Sequence, residues 1–227
     1  MVNENRNPED SPAISESWEI GAYNAADNAR PKPRRRDPHR RDRIIDAALE
    51  VISRDGITGV SHRRVAHEAG VPLGSMTYYF SGIHDLLMEA FTRFTDQAVA
   101  DYRQQFVDCT TLEQARAAIV RILTDSSYMD PHNIIIGSEL YSQSTHDPRF
   151  RPILLAWIHR CRDAFRIYFD EPTTFILDAM VEGVSMHRSL EQDIHSAELI
   201  ASAVELLTPE SSFIYDPAKA PAPTAED

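Results

Sequence analysis

The chain has 227 residues, two cysteines and a formal net charge of −12, from 23 basic and 35 acidic residues. This length suits one small and one medium-sized domain. No window approaches the ~18 consecutive apolar residues of a membrane span, and two distant cysteines indicate neither a disulfide framework nor a zinc site. We therefore expect a cytoplasmic protein without a metal or a cofactor, whose acidic surface as a whole binds nucleic acid poorly.

Residues 1–37 open the chain and are rich in Asn, Pro, Glu and Ser, without apolar periodicity, so we predict a disordered arm. The basic residues at its end are not followed by the apolar core of a secretory signal. They lead into a helix that opens with Arg40 and Arg41. Two interpretations stay open. The arm reaches the phosphates or the minor groove of a duplex, or it is a solvated linker.

Positive charge is confined to one region. Residues 30–80 carry 11 basic and 6 acidic residues, net +5, whereas residues 84–227 carry 11 basic and 23 acidic residues, net −12. Only the first region is therefore suited to face a polyanion. It contains the first predicted helix, at about residues 40–54, whose apolar stripe ends before Asp55-Gly56.

Residues 61–80, SHRRVAHEAGVPLGSMTYYF, predict a helix, a tight turn and a second helix. Ser61 can cap the first helix with its hydroxyl, and Gly70 can adopt the left-handed conformation at which the chain leaves that helix. Pro72 suits the first turn of the next helix. Many proteins use this arrangement to lay a helix in the major groove of DNA. The alternative is a plain hairpin inside any all-α protein.

The second helix of this motif is predicted to present a polar and aromatic surface. Met76 and Phe80 are four residues apart and share the face that packs inward. Opposite them lie the expected residues of the outer face, Gly74, Ser75 and Tyr78, flanked by Leu73, Thr77 and Tyr79. Adjacent tyrosines and hydroxyl groups differ from the Glu/Lys mixture of an ordinary solvated helix, and they favour the DNA-binding interpretation.

The chain after residue 84 is predicted to be helical, divided by helix breakers. The breakers are Cys109-Thr110-Thr111, Asp130-Pro131, His146-Asp147-Pro148, Glu171-Pro172 and Gln192-Asp193. Each proline lies near a predicted helix start, where its fixed φ is tolerated. We therefore predict an all-α fold with a head at residues 38–98, a larger helical body at residues 99–208 and a disordered tail at residues 209–227.

Aromatic and flexible apolar residues of the body could line a small-molecule pocket. The candidates are Tyr128, Met129, Tyr141, Trp157, His159, Phe165 and Met180. Ser138 and His187 are further candidates, because they could orient a ligand by hydrogen bonds. The alternative is that these residues form ordinary core, which is commoner for aromatic residues at helical spacing. The acidic body favours a cationic or neutral ligand only slightly.

The stretch RIIDAALEVISRDGITGVSHRRVAHEAGVPLGSMTYYFSGIHDLLMEAF resembles the DNA-binding head of the TetR-type transcriptional regulators. The similarity spans roughly residues 40–94 and includes the Val-Ala-x-x-Ala-Gly-Val motif and the Tyr-Phe ending, in the order and spacing of the family. Two positions depart from it, because many relatives carry tyrosine in place of Thr77 and lysine in place of Ile83. That lysine usually touches phosphate, and here only a protonated His84 could replace it.

The resemblance implies a homodimer, formed by the last two helices, that binds an inverted-repeat operator in double-stranded DNA. It also implies repression, which an unknown small-molecule ligand relieves by binding in the body. The residues expected at base edges are Leu73, Ser75, Thr77 and Tyr78. Those expected at phosphates are Ser61, His62, Arg63 and Tyr79, and Gly74, Arg40 and Arg41 complete the expected DNA-binding set.

An enzyme with an all-α body is the main competing function. The sequence contains no HExxH spacing, no G-x-S-x-G motif and no Gly-rich phosphate loop, so we expect no catalytic residues. Two other possibilities remain open at this point. One is a non-repressing architectural or protein-binding module, and the other is activation instead of repression.

Overall fold

A computed structural model describes residues 37–125, 130–190 and 196–219, without the side chains of residues 188, 189 and 219. The described residues form an all-α fold, as predicted. Its helices are α1 (Arg40–Asp55), α2 (His62–Glu68), α3 (Gly74–Tyr79), α4 (Ile83–Gln104), α5 (Leu112–Thr124), α6 (Pro131–His146), α7 (Arg151–Arg166), α8 (Glu171–Leu190) and α9 (Ala197–Leu207). Within these ranges, no helix combines the length and apolar character that a membrane span requires.

Several helices of the body begin where the breakers predict, because side chains cap them. Thr111 accepts a hydrogen bond from the backbone N–H of Gln114, and the Gln114 side chain accepts one in return from the Thr111 N–H, which completes a capping box. Asp130 accepts a hydrogen bond from the His132 N–H at the start of α6, where Pro131 is the first helical residue. These local contacts account for the agreement between the predicted and observed helix starts.

The head forms its own core from α1, α2, α3 and the first turns of α4. Ile44, Ala48 and Val65 are fully buried there, together with Met76 of α3. α1 ends at Gly56, whose φ of 68° is a left-handed conformation that glycine adopts without strain. Burial of this apolar face is the main source of stability for the head, because α2 and α3 are too short to be stable alone.

Helix α4 runs without interruption across the boundary expected between residues 98 and 99. Its Phe91 packs in a second cluster with Ile52 of α1, Leu140 of α6 and Phe150 of α7. Head and body therefore share a helix and a core, and the described residues from 38 onward belong to one compact unit. A third cluster, centred on Phe165, holds α5, α7, α8 and α9 together.

The tail prediction is wrong for residues 209–219. The Ile214 N–H donates a hydrogen bond of 2.8 Å to the Tyr168 carbonyl oxygen, and Phe213 forms an isolated bridge with Phe169. The ring of Tyr215 stacks on that of Tyr168 at a centroid distance of 5.4 Å. The prediction followed the Pro/Ala-rich end of the chain and overlooked the aromatic residues before it, which gain free energy by covering the body. The rest of the tail, residues 220–227, lies outside the described residues, as do residues 1–36 of the arm.

Candidate DNA-binding surface and ligand cavity

The turn between α2 and α3 has the predicted geometry. Ser61 accepts a hydrogen bond of 3.3 Å from the Arg64 N–H and so caps α2. Gly70 has a φ of 63°, and the Val71 N–H donates to the Ala66 carbonyl oxygen at 2.9 Å. The backbone therefore turns sharply enough to bring α3 across α2, where Met76 is buried in the core of the head.

The outer face of α3 is exposed to solvent. Tyr78 is 63% exposed and Leu73 is 54% exposed, while Gly74 and Thr77 are also exposed. The ring of Tyr79 meets that of Tyr78 edge to face, with centroids 4.8 Å apart, and Tyr79 packs partly on the core of the head. The packed Tyr79 ring limits the orientations of the exposed Tyr78 ring, which therefore projects from a supported position.

Ser75 is an exception, and the prediction that it faces outward is wrong. It is only 8% exposed and lies on the inward side of α3, beside the buried Met76. Residues four apart share a helix face, so Ser75 lies on the same face as the half-buried Tyr79 and not on that of Tyr78. The error arose because a helix of six residues has too few apolar positions to define the direction of its inward face.

The basic residues of the head differ in whether they contact other residues of the protein. Arg54 pairs with Glu68 at 3.0 Å, and Arg64 turns back to the Gly59 carbonyl oxygen at 3.3 Å. Arg63, next to the α2 cap in the sequence, is exposed. Of the expected phosphate contacts, Arg63 is therefore the arginine best placed to meet a duplex.

Ser61 is exposed as well, whereas other residues of the expected DNA-binding set are less open. His62 and Arg40 are half-buried. Arg41 forms an ion pair with Glu89 of α4, and its guanidinium lies over the ring of Phe80 at 5.5 Å from the centroid. His84 accepts a hydrogen bond from Arg149 Nη2, at 3.2 Å from its Nε2. His84, the expected substitute for the missing lysine, therefore already has a cationic neighbour.

The body contains a cavity of about 180 Å³ between α4, α5, α6, α7 and α8, which is partly open to solvent. Its walls are aromatic, aliphatic and acidic. The residues that line it include Phe94, Gln97, Asp101, Tyr102, Ile122, Ile134, Gly137, Ser138, Tyr141, Trp157, Cys161, Asp178, Val181, Glu182, Ser185 and Met186.

Only part of the predicted pocket set lies at this cavity. Tyr141, Trp157 and Ser138 line it. Tyr128 and Met129 lie outside the described residues. The other assignments are corrected by the structure. Phe165 is completely buried in the third cluster and Met180 packs against that cluster, whereas His159 and His187 are exposed. The helical period explains why His159 is not at the cavity. His159 is two residues after Trp157, so its side chain points to the opposite face of α7.

The acidic residues of the cavity were missed. Glu182 and Asp178 are one helical turn apart on α8 and face the same cavity. Asp178 is neutralised by Arg162, whose Nε lies 2.7 Å from a carboxylate oxygen. A signal was present in the sequence, because two carboxylates four residues apart interrupt an otherwise apolar helix, FILDAMVEGVSM.

Burial sets the electrostatics of this wall. Burial, and then the like charge of Asp178, raise the pKa of Glu182 to about 6, and a hydrogen bond from Tyr141 partly opposes them. Burial and the nearby Glu182 carboxylate raise the pKa of Tyr141 well above its usual range. The same two causes raise the pKa of the Cys161 thiol to about 12, so this cysteine is a neutral wall residue rather than a reactive thiolate.

Comparisons with known proteins agree with this geometry. Residues 44–90 match the family model of bacterial regulatory proteins of the tetR family. A protein of Streptomyces coelicolor A3(2), SCO7518, described as a transcriptional regulator, is 39% identical. The match covers 75% of this chain and 99% of that one, with a TM-score of 0.70.

Two further relatives bear on function. The multidrug binding protein EbrR, solved in complex with ethidium, is 30% identical over 75% of this chain and 99% of its own, with a TM-score of 0.62. The HTH-type transcriptional regulator BetI of Brucella suis is 22% identical over 75% of this chain and 89% of its own length.

Proposed function

The chain belongs to the tetR family of bacterial regulatory proteins, and from that premise we propose that it is a homodimeric repressor, released from its operator by a small molecule. As a member of this family it is a DNA-binding regulator of transcription, not an enzyme. Dimer formation, repression and ligand release are the proposed parts, and each has its own structural support.

The observation that carries the proposal is the exposed face of α3. Tyr78 and Leu73 project large apolar surface into solvent, in the one region of the chain with net positive charge. Exposed apolar surface rimmed by polar residues often marks a binding site. Base edges and thymine methyl groups are a suitable partner, and exposed Arg63 stands beside them for a phosphate.

Support for a homodimer comes from the outer surface of α8 and α9. Phe175 and Ile176 at the start of α8, and Leu199 and Leu206 on α9, are exposed apolar residues. Leu199 and Leu206 are seven residues apart and lie on one face of α9, with small residues between them. A second copy that covers these stripes would form a four-helix interface and would supply the second head that an inverted-repeat operator requires.

Support for ligand release comes from α6. Ile134 and Tyr141 of this helix line the cavity, whereas Ile136 and Leu140 pack in the cluster that contains Ile52 of α1. A ligand that prefers a shifted α6 would therefore favour a different position of the head. It would lower the affinity for DNA, and by reciprocity DNA would lower the affinity for the ligand. The EbrR complex with ethidium supports a small molecule in such a body.

The decisive experiment is selection of random duplexes by the purified full-length chain at physiological salt, followed by sequencing. We expect enrichment of a two-fold symmetric site. A promoter that contains this site should then be transcribed less in the presence of the protein in a purified transcription assay. Enrichment of no sequence would exclude a specific operator, an asymmetric site would exclude the symmetric dimer on DNA, and increased transcription would exclude repression.

A further inference from the structure

We propose that the ligand of the cavity is a lipophilic organic cation, whose charge lies at the Glu182 carboxylate and whose apolar part contacts Trp157 and Tyr141. This inference rests on the proposed function, because it specifies the ligand class of the same cavity. It follows from three properties of the wall: one carboxylate for which the described residues provide no counter-ion, aromatic surface beside that carboxylate, and a limited volume.

The first property distinguishes Glu182 from the other acidic residues of the cavity. Asp178 is paired with Arg162 at 2.7 Å, and Asp101 accepts a hydrogen bond of 2.7 Å from Gln97 at the exposed side. Of the described side chains, those that act on Glu182 are Asp178, which repels its charge, and Tyr141, which donates a hydrogen bond. A buried carboxylate in this position costs free energy until a cation approaches it.

The second property is the aromatic surface around this carboxylate. Trp157 lies between two other rings, with its centroid 5.6 Å from that of Phe94 and 6.2 Å from that of Tyr141. Tyr102 adds a fourth ring to the lining. Aromatic surface attracts both an organic cation and its apolar substituents. An anionic ligand would meet only repulsion from Glu182, and a neutral one would leave the carboxylate desolvated and uncompensated.

The third property is size. The cavity holds about 180 Å³, and an apolar cavity of about 150 Å³ binds a single benzene ring. A compact cation with one ring therefore fits without rearrangement of the walls. Phenyltrimethylammonium is such a cation, and tert-butylbenzene has nearly the same shape without the charge. The pair isolates the contribution of charge from that of apolar burial.

The acidity of Glu182 provides a second readout. Its pKa of about 6 means that its negative charge is largely present at pH 8 and largely absent at pH 5. The neighbouring Tyr102, Tyr141 and Cys161 all have pKa values raised by burial, so they stay neutral over this range. Asp178 also has a raised pKa, but it remains paired with Arg162. Phenyltrimethylammonium does not titrate, so any change in its affinity with pH must come from a titrating group of the protein.

The experiment is isothermal titration calorimetry of the full chain with each probe at pH 8 and pH 5. At pH 8 we expect phenyltrimethylammonium to bind about tenfold or more tightly than tert-butylbenzene, which corresponds to one favourable charge contact. At pH 5 its affinity should fall about tenfold, while that of tert-butylbenzene stays constant. Glu182→Gln should remove both the preference and the pH dependence, and Glu182→Asp should retain the pH dependence. Glu113→Gln, on the exposed surface of α5, is the matched control and should change neither.

Three results would overturn the inference: no binding of phenyltrimethylammonium at pH 8, equal affinity for the two probes, or unchanged cation binding by a folded Glu182→Gln variant. Operator binding is measured separately, with the duplexes from the selection. A chain that binds the cation through Glu182 but selects no duplex would refute the proposed function and leave the ligand class standing. A chain that binds its operator but prefers neither probe would refute only the ligand class.

Discussion

The indole ring of Trp157 on α7 lies directly against Gly137 on α6, and a Cβ atom built on Gly137 would sit 3.2 Å from Cη2 of that ring. Such a distance is tighter than ordinary van der Waals contact. The absence of a side chain at residue 137 thus allows Trp157 to occupy its place in the cavity wall. The same contact joins the wall to α6, the helix that also packs against the head.

Gly137→Ala should displace the Trp157 ring and weaken ligand binding. We expect the affinity for phenyltrimethylammonium to fall severalfold. The free energy of unfolding should change little, because alanine favours the helix by about 1 kcal/mol and offsets the strained contact. Calorimetry and urea unfolding measure the two quantities. In a Trp157→Phe background, where a smaller ring leaves room for the methyl group, the effect of Gly137→Ala on binding should disappear. Equal losses in both backgrounds would contradict the proposed contact.

Ser61 is predicted to have two separable roles. Ser61→Ala removes the cap of α2 and should lower the free energy of unfolding by about 1 kcal/mol. Ser61→Asp keeps a capping oxygen and should preserve stability, since a carboxylate is also favourable at a helix N-terminus. It should nevertheless bind the operator more weakly than the wild type, because its charge repels phosphate. Thermal unfolding and band-shift titration together test this pair. Full operator affinity of Ser61→Asp would exclude a phosphate near residue 61.

Substitutions of Tyr78 and Arg63 should affect DNA binding in different ways. Tyr78→Ala should lower affinity for the selected operator about tenfold and leave random duplex almost unaffected, as expected for a contact to bases. Arg63→Ala should weaken both kinds of duplex and reduce the salt slope by about 1. Both side chains are exposed, so neither change should alter stability. Band-shift titrations at several salt concentrations distinguish the two variants. If Tyr78→Ala weakened binding to operator and random duplex equally, Tyr78 would contact the DNA backbone rather than the bases.

Leu206 tests the proposed dimer. It is 82% exposed on α9, and a charge at that position would be buried without a partner in a dimer interface. Leu206→Glu should therefore produce monomers that bind the operator poorly. Analytical ultracentrifugation gives the mass directly. Ile214→Glu is a matched control, since Ile214 is 51% exposed on the C-terminal segment, outside α9. If the Leu206→Glu variant were still a dimer, the interface would have to lie elsewhere on the protein.

The raised pKa of Glu182 also predicts how stability depends on pH. Burial and Asp178 raise the pKa from 4.5 to about 6, so the folded chain binds this proton more tightly than the unfolded chain. The resulting stabilisation is complete below about pH 4.5 and is lost as the pH rises through about 6. At pH 8 the unliganded Glu182→Gln variant should therefore be more stable than the wild type, by about 2 kcal/mol at most. Urea unfolding at pH 8 and pH 5, at equal protein concentration, should show this difference shrinking toward pH 5.

The local features of the head could be read from the chain because neighbouring residues create them. Ser61 caps α2 through a backbone N–H three residues away, and Gly70 turns the chain with its own φ. The same is true of Thr111 and Asp130, whose caps mark the starts of α5 and α6. Such signals need no distant partner, so their positions agreed with the structure.

Tertiary packing decided the rest. The rotation of α3 depends on what its short inward face meets, and this packing buried Ser75 while leaving Tyr78 exposed. Glu182 became a cavity residue because α4, α6 and α7 converge on α8, and the C-terminal segment is ordered because Tyr168 stands where Tyr215 can stack. These contacts join residues far apart in sequence. Their free energy depends on burial that exists only once the helices have assembled.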